Sequence, residues 1–471
     1  MATVTDHVSP RVVIIGGGPG GYEAALVARQ LGASVTVVDR DGLGGSAVLT
    51  DCVPSKTLIA TADVVTRARE SGTLGVRIDG ALPRAESLAV DLLAVNDRVK
   101  RLALAQSHDI HERLVRDGVR IIVGTGRMGS PSHVVATPTV GVEELLDADV
   151  ILIATGARPR IVEGAEPDGD RILDWEQLYE LQVLPSRLVV VGSGVTGAEF
   201  ASAYNALGSD VLLVSSRDRV LPGEDPEAAR VIEDVFRRRG MTVMSRSRAA
   251  SVRHSRDGVV VTLVDGTEVE GSHALMAVGS LPNTEGLGLA ESRISLDDRG
   301  YIEVDRVSRT SVRGVYAAGD CTGVLMLASV AAMQGRIAMW HALGDAVNPL
   351  DRATVSSAIF TDPEIATVGC TQKDIDDGTV RAVAVMLPLA TNARAKMMGF
   401  EDGFVKLFAR RTSHLVAGGV VVAPGASELI YPIAVAVEHR LTVDQLASSF
   451  AVYPSLSGSV AEAARRLHIH A

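Results

Sequence analysis

Cysteine is scarce in this chain: Cys52, Cys321 and Cys370 are the only three in 471 residues, and they lie far apart. That excludes a disulfide scaffold and any CxxC-type zinc pattern, and it points to a reducing, cytoplasmic environment. A basic excess is also missing. The net charge is −11, whereas a nucleic-acid surface carries a surplus of Lys and Arg, so no nucleic-acid partner is expected. The apolar stretch from Leu415 to Val437 is broken by Gly418, Gly419, Pro424, Glu428 and Pro432. It reads as a buried strand followed by a helix, and no membrane span is expected. Met1 to Pro10 lacks the basic lead and apolar core of a signal peptide. His468 and His470, in the terminal Arg465-Arg466-Leu467-His468-Ile469-His470, read as a solvated tail, and no metal site is expected.

What the chain has in quantity is glycine, 46 residues, or about 10% against an average of about 7%. Glycine is used where backbone must turn tightly or come close to a ligand. Hydrophobic content of 46% with 22% charged residues describes an ordinary globular protein. The length is too great for one core, so two to four domains are expected.

One unit is written twice. Val12-Val13-Ile14-Ile15 is a short apolar run of the kind found in buried parallel strands. It leads into Gly16-Gly17-Gly18-Pro19-Gly20-Gly21, a helical stretch through Arg29, Leu31-Gly32, and a second strand Val35 to Val38 that ends at Asp39. Leu188 to Val191 repeats this with Gly192-Ser193-Gly194-Val195-Thr196-Gly197, a helix through Ala206, Leu207-Gly208, and Val211 to Val214 ending at Ser215. Glycine to glycine is 16 residues in both copies (16 to 32, 192 to 208), and glycine to strand end is 23 in both (16 to 39, 192 to 215). A single GxGxxG is a weak signal, but two in strand–turn–helix–strand with identical spacing identify two dinucleotide-binding units.

The glycines Gly16, Gly18 and Gly21, and in the second copy Gly192, Gly194 and Gly197, let backbone amides at a helix N-terminus reach a pyrophosphate. Asp39 is placed to accept hydrogen bonds from a ribose diol. In the second copy Ser215 takes that place, followed by Ser216, Arg217 and Arg219. A carboxylate repels a 2′-phosphate, whereas hydroxyls and guanidinium groups bind one, so NADPH is favoured over NADH. The alternative is that Arg217 and Arg219 belong to a solvated surface turn.

Further motifs carry a resemblance. Gly44-Gly45-Ser46-Ala47-Val48-Leu49-Thr50-Asp51-Cys52-Val53-Pro54-Ser55-Lys56 is similar to the redox segment GGTCxNxGCxPSK of the pyridine nucleotide–disulfide oxidoreductases. Ile153-Ala154-Thr155-Gly156-Ala157-Arg158-Pro159 and Val278-Gly279-Ser280-Leu281-Pro282-Asn283-Thr284 resemble that family's two crossovers between domains. Val315-Tyr316-Ala317-Ala318-Gly319-Asp320 resembles its second FAD motif, followed by Met326-Leu327-Ala328 beside the isoalloxazine. Phe360-Thr361-Asp362-Pro363-Glu364-Ile365-Ala366-Thr367-Val368-Gly369 is similar to the opening of its dimerisation domain.

The resemblance implies an α/β chain with two doubly wound, Rossmann-like dinucleotide-binding domains and an α+β C-terminal dimerisation domain. The FAD domain would comprise residues 1–157 and 285–350, the nicotinamide domain 158–284 and the interface domain 351–471. It implies FAD and NAD(P)H as cofactors and a homodimer in which each flavin site is completed by the partner's C-terminal segment. Gly45, Ser46, Gly126, Ala154, Thr155, Gly156, Gly279, Asp320, Leu327 and Ala328 join the glycine turns as cofactor-binding residues. Lys56 would stand against flavin N5 with Glu199 as its carboxylate partner; a lysine out of water needs one to stay charged. A purely structural ion pair is the alternative.

The departures from the family are concentrated in one pathway. Ala47 occupies the place of the first redox cysteine, so Cys52 has no disulfide to form. In Tyr453-Pro454-Ser455-Leu456-Ser457-Gly458 the family's histidine base is Tyr453 and its orienting glutamate is Gly458. A tyrosine, with a pKa near ~10, is a poor thiol base. Val195 stands where many members place an aromatic lid, leaving room for a planar acceptor. The resemblance therefore narrows to NAD(P)H:quinone reductases of the family, with two-electron transfer through FAD to a small quinone. Lys56, Glu199, Tyr453 (from the partner, toward a quinone oxygen) and Cys52 are the candidate catalytic residues. Cys52 is either a thiolate beside the flavin or a small packed residue. A soluble transhydrogenase, a single-cysteine peroxidase and a non-catalytic NADPH sensor remain open alternatives.

Overall fold

The computed structural model describes residues 9–78, 80–83 and 88–470. The first eight residues of the N-terminal segment, and the side chain of His470, lie outside the described part. The chain divides into two compact units, one of residues 1–55, 97–160 and 279–351, the other of residues 56–96, 161–278 and 352–471.

The first unit is built on β1 (Arg11–Ile15), α1 (Pro19–Gln30) and β2 (Ser34–Asp39). β1 and β2 pair in parallel, Ile15 opposite Val38, and β1 pairs on its other side with Val150–Ile153. These strands are apolar on both faces because both are covered. The sheet has seven strands, in the order Val315–Ala317, Val150–Ile153, β1, β2, Arg120–Ser130, His133–Pro138 and Glu144–Asp147. Its last three strands form an antiparallel meander. A separate two-stranded ribbon joins the two expected crossovers, with Ala157 opposite Pro282 and Pro159 opposite Ser280.

Within the second unit, β3 (Arg187–Val191), α3 (Val195–Leu207) and β4 (Asp210–Val214) repeat the same arrangement. The parallel sheet has five strands and is completed by β5 (Thr242–Met244) beside β4 and by His273–Met276 and Ile172–Leu173 beyond β3. The rest of the unit contains a fully antiparallel five-stranded sheet whose central strands are Glu364–Gly369, Val416–Ala423 and Phe404–Arg410. Val416–Ala423 is buried along its whole length and is followed by the helix Tyr431–Glu438. The strand-then-helix expectation for 415–437 holds. No helix among the described residues is long and apolar enough to cross a membrane.

A buried charge fastens the helix Pro226–Arg238 to the antiparallel five-stranded sheet of this unit. Lys406, on the strand Phe404–Arg410, is 4% exposed and its Nζ meets Asp225 at 2.9 Å and Glu227 at 2.6 Å. Asp225 is 3% exposed and also caps the helix Pro226–Arg238 by accepting from the Glu227 N–H at 2.9 Å. Replacing Lys406 by Met removes the cation that meets this carboxylate pair while leaving Asp225 enclosed. Breaking one side of a buried pair costs about 3–5 kcal/mol. The K406M variant is therefore expected to unfold at a distinctly lower denaturant concentration, and an unchanged midpoint would rule the fastening role out.

Candidate functional site

Each glycine turn has a steric reason for its composition. Gly16 adopts φ +103° and Gly192 φ +115°. A Cβ on Gly16 would collide with the Ala154 carbonyl, and one on Gly192 with the Ala277 carbonyl. A Cβ on Gly21 or Gly197 would overlap the carbonyl oxygen of Gly16 or Gly192. The repeated spacing is thus a repeated close packing of helix on strand. In both copies the helix starts on a glycine N-cap, Gly18 or Gly194, with no side chain capping it. The first-turn amides are left to an anion.

The first unit meets the requirements of a dinucleotide on several counts. A cavity of about 360 Å³ is lined by Gly16, Asp39, Gly126, Thr155 and Asn283 among others. Asp39 accepts from the N–H groups of Gly17 (2.6 Å), Gly42 (2.6 Å) and Asp41 (3.1 Å). Burial nevertheless holds its carboxyl above the usual range, against the pull of those donors. Gly18 and Gly45 approach so closely that a Cβ on Gly45 would come within 2.8 Å of the Gly18 Cα, leaving bare backbone between the turn and the short helix Gly45–Leu49. Ser46 is exposed on that helix and Ala47 follows it. Ala154, Thr155 and Gly156 follow the strand Val150–Ile153. Thr155 Oγ1 donates to the Asn283 carbonyl at 2.7 Å, and Asn283 Nδ2 donates back to the Thr155 carbonyl at 3.0 Å. Gly156 (φ +70°) and Gly279 (φ +96°) have open space where a side chain would go. These observations suit FAD.

Asp320 follows Gly319, whose N–H donates to the buried Gln334 Oε1 at 2.9 Å. Burial, and secondarily the charge of Asp51, pushes the Asp320 carboxyl up to about 6. Among the described residues none donates a hydrogen bond to it. Leu327 and Ala328 begin the helix Ala328–Ala342, again with no side-chain cap. Cys52 is half-buried at the start of α2 (Cys52–Glu70) and, like Cys321 and Cys370, forms no disulfide.

In the second unit, Lys56 Nζ lies 2.8 Å from Glu199 Oε2. The lysine side chain is 31% exposed and the glutamate 4%. Glu199 also accepts the Phe360 N–H at 2.9 Å, and the Lys56 ammonium stands 4.9 Å from the centre of the Phe360 ring. One carboxylate thus satisfies two donors, while the aromatic face covers the same cation. Sequence reasoning missed Phe360 and Asn283 as site residues, although both sit in motifs it had singled out.

Ser215 departs from expectation. It is fully buried, and its hydroxyl shares a 2.6 Å hydrogen bond with Ser193 and accepts the Arg217 N–H at 3.1 Å. It shapes the turn from inside and does not present its hydroxyl to a 2′-phosphate. Arg219 is also turned inward, toward the Pro222 carbonyl at 3.4 Å. Arg217 remains exposed. Val195 is 44% exposed at the start of α3. Tyr453 is 85% exposed and makes no hydrogen bond to the other candidate residues within the chain. His468 is on the helix Gly458–His470 with Nδ1 2.6 Å from Asp444.

Comparison with known proteins matches residues 10–335 to the family described as pyridine nucleotide-disulphide oxidoreductase, and residues 355–464 to its dimerisation domain. An NAD(P)H dehydrogenase (quinone) of Mycobacterium tuberculosis is 56% identical over 469 residues, covering 98% of this chain and 94% of that protein. Dihydrolipoyl dehydrogenase 2 of Haloarcula marismortui is 33% identical, covering 96% and 95%. The crystal structure of LpdA from Mycobacterium tuberculosis superimposes with a TM-score of 0.93 at 55% identity, covering 98% of this chain and all of that one.

Asp320 yields a pH-dependent expectation. Its folded-state value of about 6 lies above the ordinary 3.8, so the folded protein binds the extra proton between those values. The buried charge therefore costs stability above pH about 6, and the cost fades as pH falls toward about 4, at up to about 2–3 kcal/mol. In flavin-free protein, Asp320→Asn is expected to raise the urea midpoint at pH 8 and to leave it unchanged near pH 4. A gain of equal size at both values would contradict the assignment.

Proposed function

The chain belongs to the pyridine nucleotide–disulphide oxidoreductase family, and we propose that it is an FAD-dependent NAD(P)H dehydrogenase acting on a quinone, with no dithiol between flavin and acceptor. The observation that carries this reading is Ala47, set before a Cys52 that forms no disulfide. The name of the relative that is 56% identical supports it. FAD, when bound, takes two electrons from the nicotinamide and gives them up again; overall, NAD(P)H, a proton and a quinone yield NAD(P)⁺ and the quinol.

The chain's own residues do the rest. Uncapped amides at the starts of α1 and α3 hold the pyrophosphates, Asp39 the adenosine ribose and Asp320 the ribityl hydroxyls. Lys56, kept charged by Glu199, would supply positive potential that favours electron uptake by the bound flavin. The Phe360 ring limits hydration of that ammonium on one side. Tyr453 of the second protomer donates to a quinone oxygen, which its exposure in the single chain leaves it able to do. NADPH is the preferred donor: Arg217 is exposed beside the second glycine turn, and no carboxylate ends β4. The domains divide as FAD-binding (1–157 and 285–350), nicotinamide-binding (158–284) and interface (351–471), and the protein works in the cytoplasm.

Two measurements test this. Anaerobic NADPH titration followed by absorbance is expected to bleach the flavin completely at two electrons per subunit. Uptake of four electrons would reveal a hidden second redox centre and end the proposal. Separately, Tyr453→Phe is expected to lower kcat/KM for menadione by about 10-fold, the loss of one hydrogen bond to a charge-developing oxygen, while stopped-flow reduction of the flavin by NADPH is kept. Loss of both half-reactions together would argue for a structural role of Tyr453.

A further inference from the structure

The backbone brings a second arginine beside the Arg217 turn from beyond the next helix. β5 lies parallel beside β4, with Met244 opposite Val214. The pairing continues beyond both strands. The Ser215 N–H donates to the Met244 carbonyl at 2.8 Å, the Ser247 N–H to the Ser215 carbonyl at 2.7 Å, and the Arg246 N–H to the Arg217 carbonyl at 2.7 Å. This zipper holds Arg246 at φ +54°, a left-handed conformation that residues with a β-carbon adopt only when their surroundings impose it.

The result is two arginines joined back to back through one main-chain hydrogen bond. Both are exposed. Neither guanidinium has a hydrogen bond or an ion pair among the described residues, in a chain whose net charge is −11. In the same turn Arg219 instead points inward to Pro222, while Arg248, two residues beyond Arg246, is exposed as well. Asp218, exposed in the same turn, is the carboxylate a bound anion would have to tolerate. In the first unit the corresponding strand end carries Asp39 bonded to Gly17; here the buried Ser193–Ser215 pair puts no charge in that place.

We infer that Arg246, together with Arg217, binds the 2′-phosphate of NADP(H), and that Arg246 is a specificity-determining residue for the nicotinamide substrate. The inference rests on the NADPH reading of the second unit. A phosphomonoester dianion offers three acceptor oxygens, and two planar forks satisfy them from two sides. NADH has only a neutral 2′-hydroxyl at that place, so the charge-assisted bonds to the arginines are lost.

The test uses the whole flavoprotein and two readouts. Calorimetry compares binding of 2′,5′-ADP with that of 5′-AMP, and steady-state assays give kcat/KM for NADPH and NADH. Wild type is expected to bind 2′,5′-ADP more tightly. Arg246→Met is expected to weaken that binding and to reduce the NADPH/NADH ratio of kcat/KM by about 10- to 100-fold, the range for a lost hydrogen bond to a charged group. Arg246→Asn, whose side chain tolerates the left-handed backbone, should do the same with an unchanged thermal melt. Arg246→Lys should recover part of the preference. If wild type does not distinguish 2′,5′-ADP from 5′-AMP, the NADPH reading fails and the inference with it. If wild type distinguishes them and both Arg246→Met and Arg246→Asn distinguish them equally well, the NADPH reading stands and the role of Arg246 is overturned.

Discussion

Glu199 is a carboxylate almost wholly removed from water, and such a group survives only if its charge is met at close range. It is met by the Lys56 ammonium on α2 and by the Phe360 amide near the start of the C-terminal quarter of the chain, while Glu199 itself belongs to α3. Three segments far apart in sequence are therefore registered by one side chain. The arrangement is asymmetric in exposure: the acid is sealed and the cation is partly open. Whatever else changes around Lys56, its charge and direction stay set from behind.

That explains how a disulfide pathway can be absent while the flavin frame remains. Ala47, Tyr453 and Gly458 replace groups that act on sulfur. None of them contributes to the Glu199 cluster or to the glycine turns. The turns depend on collisions avoided between backbone atoms, and the cluster on compensating buried charges, so thiol chemistry could be lost without disturbing either.

The glycine turns were legible in the sequence because their cause is local: a missing Cβ lets strand and helix meet, and the same spacing recurs wherever that meeting recurs. Asp39 was legible for the same reason. The Lys56–Glu199 pair spans 143 positions and could be read only through the resemblance. Phe360 and Asn283 act across comparably long separations, of 161 and 128 positions, and Arg246 reaches its partner Arg217 across a whole helix; nothing near them in sequence announces those partners. Ser215 misled because a hydroxyl one or two bonds from the backbone can turn inward, and here Ser193 offers it a partner inside. Lys406 is similar: within Phe404-Val405-Lys406-Leu407 it breaks an apolar pattern, and only the fold supplies the two acids that justify its burial.

The uncapped starts of α1 and of the helix Ala328–Ala342, and the undonated carboxyl of Asp320, are parts of one bargain. Without its cofactor the first unit keeps helix amides with no side-chain acceptor and a negative charge with no donor among the described residues. A ligand that binds only the folded state adds RT ln(1 + [L]/Kd) to its stability. A flavin held in this way is a structural component as much as a redox one, and its binding lowers the population of open, protease-sensitive chain.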